Sequence, residues 1–190
     1  EKKIVFLDRD GVINRDIDGG YVTCWAEFEF LPGVLDSLRV LAASGYTVAV
    51  ISNQAGVGKG MYSEQALADI TARMCRAVTE AGGCIERTWY CLHRPDAGCA
   101  CRKPNPGMLR EAAAVFRVSP QACIFIGDSE RDIIAGRTFG CRTVLVLSGK
   151  IKNRGQAAAL STAPDYICDD LRAAVEIVLP QWQSVAGREN

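Results

Sequence analysis

The chain has 190 residues, 48% of them apolar, with 22 basic and 22 acidic side chains and one histidine. That suffices for one domain with a real core, and a formal net charge of zero argues against a nucleic-acid footprint, which needs a basic surplus. The longest apolar runs are far shorter than the roughly 20 residues of a membrane span, and the four apolar residues before Asp8 are too few for a signal-peptide core. The expectation is a cytoplasmic, monomeric protein, one domain over 1–190, with no membrane or nucleic-acid partner. The nine cysteines are an odd number for a disulfide framework. In a reducing compartment, clustered cysteines more often bind metal.

Ile4 to Leu7 is an unbroken apolar run and reads as a buried strand. It stops at Asp8-Arg9-Asp10-Gly11. Side chains at i and i+2 of an extended backbone share a side, so Asp8 and Asp10 are expected to face one point at the strand's C-terminal edge. Hard carboxylate oxygens so placed suit Mg²⁺. A calcium loop starting at Asn14 fits at Asp16, Asp18 and Gly19, but its twelfth position is Trp25 and the bidentate carboxylate is missing. The polar loop from Asn14 to Tyr21 follows the aspartates directly. Asp18, Gly19, Gly20 and Tyr21 are its candidate ligand contacts.

Pro32 and Gly33 open a helix with Val34, Leu35, Leu38, Leu41 and Ala42 on one face, closed at Gly45. A second strand, Thr47 to Ile51, ends at Ser52-Asn53-Gln54. These three polar groups are candidates for phosphate and substrate contact. The following Gly-Lys pair is not a P-loop, because Gly60 follows Lys59 and Asn53 stands where the first glycine belongs. That stretch reads as a flexible loop. Ser63 caps the next helix, whose apolar stripe is Leu67, Ile70, Met74 and Val78. Ile85 to Tyr90 reads as the third strand.

Cys91 and His93, then Cys99 and Cys101, make a compact set of four ligands of the types that tetrahedral Zn²⁺ prefers. Four protein ligands mean a closed, structural site in a loop over residues 91–101. Arg102 and Lys103 follow at once, stiffened by Pro104 and Pro106. A helix carrying Met108, Leu109, Ala112, Ala113 and Phe116 comes next. The fourth strand, Cys123 to Ile126, ends in Gly127-Asp128-Ser129, with Asp132 one turn into a helix to Phe139. Arg142 to Leu147 and Asp165 to Cys168 are the last strands. A final helix is expected through Leu179, and a frayed tail at 181–190. Strands alternating with helices predict an α/β fold, a doubly wound, Rossmann-like parallel sheet. Ligands of such sheets bind beyond the C-terminal strand ends, where Asp8, Asp10, Ser52 and Asp128 all fall.

In this order these residues resemble the haloacid dehalogenase phosphatase superfamily. Its first motif matches Asp8-Arg9-Asp10-Gly11-Val12, its second Ser52, its third Lys103, and its fourth Gly127-Asp128 with Asp132. The zinc loop and Arg102 to Met108 narrow the resemblance to a subgroup that acts on heptose bisphosphates or histidinol phosphate, closer to the heptose branch. The resemblance implies Asp8 as nucleophile, Asp10 as general acid and base, and Ser52 and Lys103 as phosphoryl-oxygen ligands. It implies Mg²⁺ held by Asp8, the Asp10 carbonyl and Asp128, with Asp132 in support. Arg102 is expected to read the substrate, and Ser129 stands where some members place a substrate-contacting lysine. The intervals from Asp10 to Ser52 and from Ser52 to Lys103 are used by core elements and leave no room for a separate cap domain. The expected substrate is a small phosphorylated sugar. The reading from another class is a zinc-loop binding module on a degenerate site, against which the intact acid and lysine set stands.

Overall fold

The computed structural model describes residues 2–176. Six strands form one sheet: β1 (Ile4–Leu7), β2 (Thr47–Asn53), β3 (Arg87–Cys91), β4 (Cys123–Gly127), β5 (Arg142–Val146) and β6 (Tyr166–Cys168). Every pairing is parallel and the order is β3-β2-β1-β4-β5-β6. The helices are α1 (Val34–Ala43), α2 (Ala55–Gly58), α3 (Glu64–Glu80), α4 (Gly107–Phe116), α5 (Glu130–Phe139) and α6 (Arg154–Ala158). Residues 171–176 are also helical, and the rest of the expected last helix and the tail at 181–190 lie outside the described residues.

The central strands carry continuous apolar runs because helices cover both faces. Val5, Leu7, Val48, Val50, Ile124 and Ile126 pack with Leu38, Leu41, Ile70 and Met74 on one side. Ile4, Phe6, Ala49, Ile51 and Phe125 pack with Met108, Leu109 and Ala112 on the other. Truncating a side chain such as Leu38 in this core costs about 2–5 kcal/mol. The segment between β1 and α1 is pinned to the first of these layers. Its Trp25 stacks on Phe28 at 4.9 Å and Phe28 meets Phe30 edge-on at 5.0 Å. It is therefore a wall of the domain and no separate cap.

Boundaries differ from the sequence reading where function intrudes. β2 continues through Ser52 and Asn53, which pair with Tyr90 and Cys91 of β3, so polar residues extend a strand that apolarity alone would end at Ile51. α5 starts at Glu130, earlier than Asp132, because Ser129 and Asp132 satisfy one another across the first turn. The short helix α2 occupies a stretch read as a flexible loop, and α6 lies between β5 and β6. In α6, Asn153 accepts from the Gln156 amide at 2.9 Å, an N-cap present in the sequence but too short-ranged to weigh.

The chain grows outward from β1 in two directions, to β2 and β3 on one side and to β4, β5 and β6 on the other. The reversal between β1 and β4 opens a crevice at their C-terminal ends, the usual ligand position in open parallel sheets.

Candidate active site

Asp8 follows β1, and its amide donates to the Ile126 carbonyl of β4 at 3.0 Å, so it stands directly on the crevice. The chain then turns tightly, with the amides of Val12, Ile13 and Asn14 all directed at the Arg9 carbonyl. Asp8 and Asp10 thus converge through a turn past the strand end, not along an extended strand. Gly11, at φ +82°, makes this possible: a Cβ there would lie 2.2 Å from the Asp128 carboxylate.

Lys103 is almost fully buried, and its ammonium lies 2.9 Å from Asp8, 2.6 Å from Asp132 and 3.0 Å from the Ile51 carbonyl. Burial would push this ammonium down, but the Asp132 and Asp8 carboxylates outweigh it and hold the group above the ordinary lysine range. Asn53 clamps the same residue by its backbone, donating to the Lys103 carbonyl and accepting from the Lys103 amide, each at 3.0 Å. Burial pushes Asp8 up to about 6, with Asp132 adding to the shift and Lys103 opposing it. Asp128 is raised well above the carboxylate range, by burial first and then by Asp132 and Asp8. Its Oδ2 accepts from the Lys150 amide at 2.7 Å.

Asp10 has the opposite setting. Burial raises it, but the Arg9 guanidinium and the amides of Asn14 and Gln54 prevail, and its carboxyl is held below the usual range. The contacts are 3.0 Å to Arg9, 2.9 Å to Asn14 and 2.8 Å to Gln54. Arg9 is buried under the site. The two neighbouring carboxylates are therefore held at opposite settings, Asp8 above and Asp10 below the usual range.

A cavity of about 320 Å³ opens over this cluster. Of the sequence candidates, Asp8, Asp10, Ser52, Lys103, Asp128, Asp132, Asn53, Arg102, Ser129, Gly19, Gly20 and Tyr21 line it. Two do not. Asp18 points to solvent, 83% exposed, paired with Lys152 at 3.2 Å, and Asp16 takes the place expected of it. Gln54 is buried beneath the cavity, its amide committed to Asp10, Ser52 and Tyr62. Ser129 and Asn53 reach the cavity with side chains already bonded, to Asp132 and to the Lys103 backbone.

Sequence reasoning missed Lys59, Arg131 and Lys150, which add three cations to the rim. Lys59 donates to the Tyr21 hydroxyl and Lys150 pairs with Asp16, each at 2.8 Å. Nothing in their local sequence marks them, since each arrives from a different connection. Arg9 is buried because the turn after β1 directs it under the site, where it meets Asp10.

The carboxylates of Asp8, Asp128 and Asp132 offer oxygens within 4.8 Å of one another. Two of the three are raised by mutual repulsion and burial, and a hard divalent cation would return them to their anionic form, so the donor set fits Mg²⁺. At the neighbouring loop, Cys91 closes β3 and meets Cys99 at 3.6 Å, Cys101 at 3.3 Å and His93 Nδ1 at 3.5 Å. Cys101 lies 3.5 Å from Cys99 and 3.2 Å from His93. Ligands on a tetrahedron with Zn–S bonds of about 2.3 Å lie about 3.8 Å apart. These spacings are close to that, so the four residues fit a closed zinc site. No helix among the described residues is long and apolar enough to cross a membrane.

A family model described as HAD-hydrolase-like matches residues 100–174. The D-glycero-β-D-manno-heptose-1,7-bisphosphate 7-phosphatase of Pseudomonas putida is 40% identical over 171 residues, 90% of this chain and 96% of that protein. The protein of the same name from Pseudomonas aeruginosa is 38% identical over 179 residues, 94% of this chain and 98% of its own. The crystal structure of the D,D-heptose 1,7-bisphosphate phosphatase of Bordetella bronchiseptica, complexed with magnesium and phosphate, aligns with a TM-score of 0.88 at 37% identity. That alignment covers 94% of this chain and 99% of the other. A parallel sheet with its carboxylates and buried lysine at the strand ends defines a hydrolase of the haloacid dehalogenase (HAD) class. The chain belongs to that family, and the three relatives just described are heptose 1,7-bisphosphate phosphatases by name.

Proposed function

We propose that the chain is a Mg²⁺-dependent phosphatase that removes the 7-phosphate of D-glycero-D-manno-heptose 1,7-bisphosphate, the β anomer following the relatives' names. The observation that carries this reading is the composition of the cavity. Asp8, Asp10, Asp128 and Lys103 meet at its floor, while Lys59, Arg102, Arg131 and Lys150 stand around it, more cations than one phosphate requires.

Asp8 attacks phosphorus, and the bond from phosphorus to the sugar oxygen breaks, giving an aspartyl-phosphate. Asp10 gives its proton to the departing sugar oxygen, then takes one from the water that cleaves the acyl phosphate. Asp10 therefore enters the first step as the acid form, although its neighbours favour the anion. That tension makes it a strong donor once a developing alkoxide lies within reach. Lys103 and the Ser52 hydroxyl hold the phosphoryl oxygens. The Mg²⁺ that Asp8, Asp128 and the Asp10 carbonyl would hold supplies compensating positive charge for the phosphoryl group. Phosphate monoester hydrolysis calls for acceleration of up to ~10²¹-fold, of which acid-base help gives about 10²–10⁴. The larger share falls to positioning and charge, which is why a fully buried lysine sits against the nucleophile. Cys91, His93, Cys99 and Cys101 would hold a structural Zn²⁺, whose closed coordination would stiffen the loop that leads into Arg102 at the cavity wall.

The test is phosphate release, with and without Mg²⁺, from both anomers of the heptose bisphosphate beside histidinol phosphate. Preference for the β-bisphosphate and dependence on Mg²⁺ are the expected result. Preference for histidinol phosphate would overturn the substrate, and release from none would overturn the enzyme reading.

A further inference from the structure

Beneath the cavity lies a polar chain that touches no substrate-facing surface. Gln54 is 1% exposed and Tyr62 is 8% exposed, and neither lines the cavity. The Tyr62 hydroxyl donates to the Gln54 carbonyl oxygen. The Gln54 amide nitrogen donates to Asp10 Oδ2 at 2.8 Å and to Ser52 Oγ at 3.1 Å. A glutamine amide can lie in two orientations related by a flip, and only its partners choose between them. With the amide reversed, the Gln54 oxygen would face the Asp10 carboxylate, acceptor against acceptor. Tyr62 is the group that holds the correct orientation from behind, and burial pushes its phenol up to about 12, so it remains a donor.

The consequence reaches the reacting atoms. Asp10 is bonded by Gln54, Asn14 and Arg9 from the protein side, and together they fix the orientation of its carboxyl group at the cavity. We infer that Tyr62, acting through Gln54, is a positioning residue for the general acid Asp10. The inference rests on the phosphatase reading above.

A leaving oxygen that departs readily as an anion needs no proton, whereas a sugar alkoxide does. Loosening Asp10 therefore damages turnover of alkyl phosphates and spares aryl phosphates. The experiment compares kcat/KM for 4-nitrophenyl phosphate and for a sugar phosphate in the wild type, Tyr62→Phe, Gln54→Met and the double variant, in the full chain with Mg²⁺. Thermal melts confirm that each variant folds. Tyr62→Phe keeps the ring and is expected to lose about tenfold on the sugar phosphate, a fraction of the general-acid contribution, and at most about twofold on the aryl phosphate. KM is expected to change little, because neither residue lines the cavity. Because Tyr62 works through Gln54, the double variant is expected to match Gln54→Met instead of multiplying the two losses. Equal losses on the two substrates, a multiplicative double variant, or an unaffected Tyr62→Phe would each overturn the inference while leaving the phosphatase reading in place. A wild type that turns over neither substrate would overturn both.

Discussion

Asp8 sits where three demands meet: a nucleophile must be ionised, close to a cation, and free of water. Its carboxylate is lifted to about 6 by burial and restrained by Lys103 at 2.9 Å. Asp8→Asn keeps the volume and removes the anion. Turnover is expected to fall by about 10³-fold or more, since losing a nucleophile disables the whole assembly. Lys103 keeps Asp132 at 2.6 Å as its partner, so the fold should survive, and a melt near that of wild type checks this. Retained activity would remove Asp8 from the nucleophile's role. The residues legible in the sequence were those delivered by a strand end: Asp8, Ser52 and Asp128 needed only an apolar run and a stop. Gln54, just past β2, and Asp18, in the polar loop after the aspartates, lie off the cavity, because beyond a strand end the direction of a side chain depends on its partners. For Gln54 these are Tyr62 and Asp10, and for Asp18 the exposed Lys152.

The cysteine and histidine loop over residues 91–101 is the element that forms one wall of the site, through Pro95 and the Arg102 that follows it. Its four ligands come from the end of β3 and the turns after it, and Asn105 donates to the Cys99 carbonyl at 2.9 Å to close it. The short helix α2 presses against its far side. A Cβ on Gly58 would lie 2.3 Å from the Leu92 carbonyl oxygen, so only glycine permits that approach. The glycines of this stretch suggested a mobile loop, but one of them serves close contact with a segment distant in sequence, which local pattern cannot reveal. One zinc per chain is expected from elemental analysis of the purified protein. Cys99→Ser is expected to lower that content and, by loosening Arg102, to cut kcat/KM by as much as ~100-fold, the scale of an ångström-sized misplacement. The Asn53 clamp on the Lys103 backbone should keep the catalytic lysine in place, so the loss should appear more in KM than in kcat. A variant with full zinc and full activity would count against this role.

At the scale of the whole molecule, the site is a cost to the fold that its cation relieves. Asp8 and Asp128 both have folded pKa values above their unfolded ones. Such groups bind more protons folded than unfolded, so their contribution to stability is present below about pH 4, the unfolded carboxyl value, and is lost as pH rises through their folded values, about 6 for Asp8 and well above the carboxylate range for Asp128. Asp10 works in the other direction, but its depressed value places that effect below the same window. Without added divalent cation, these groups therefore favour pH 5 over pH 7.5. Mg²⁺ binds the ionised pair and should offset the loss. At 100 times its dissociation constant a ligand adds about 2.7 kcal/mol, which in a chain of this length corresponds to a rise in Tm of about 5–10 °C. Protons compete for the same oxygens, so the rise should be full at pH 7.5 and much smaller at pH 5. Melting curves at both values, with and without Mg²⁺, check the prediction. A Tm increment equal at the two pH values would mean that the cation does not bind through these carboxylates.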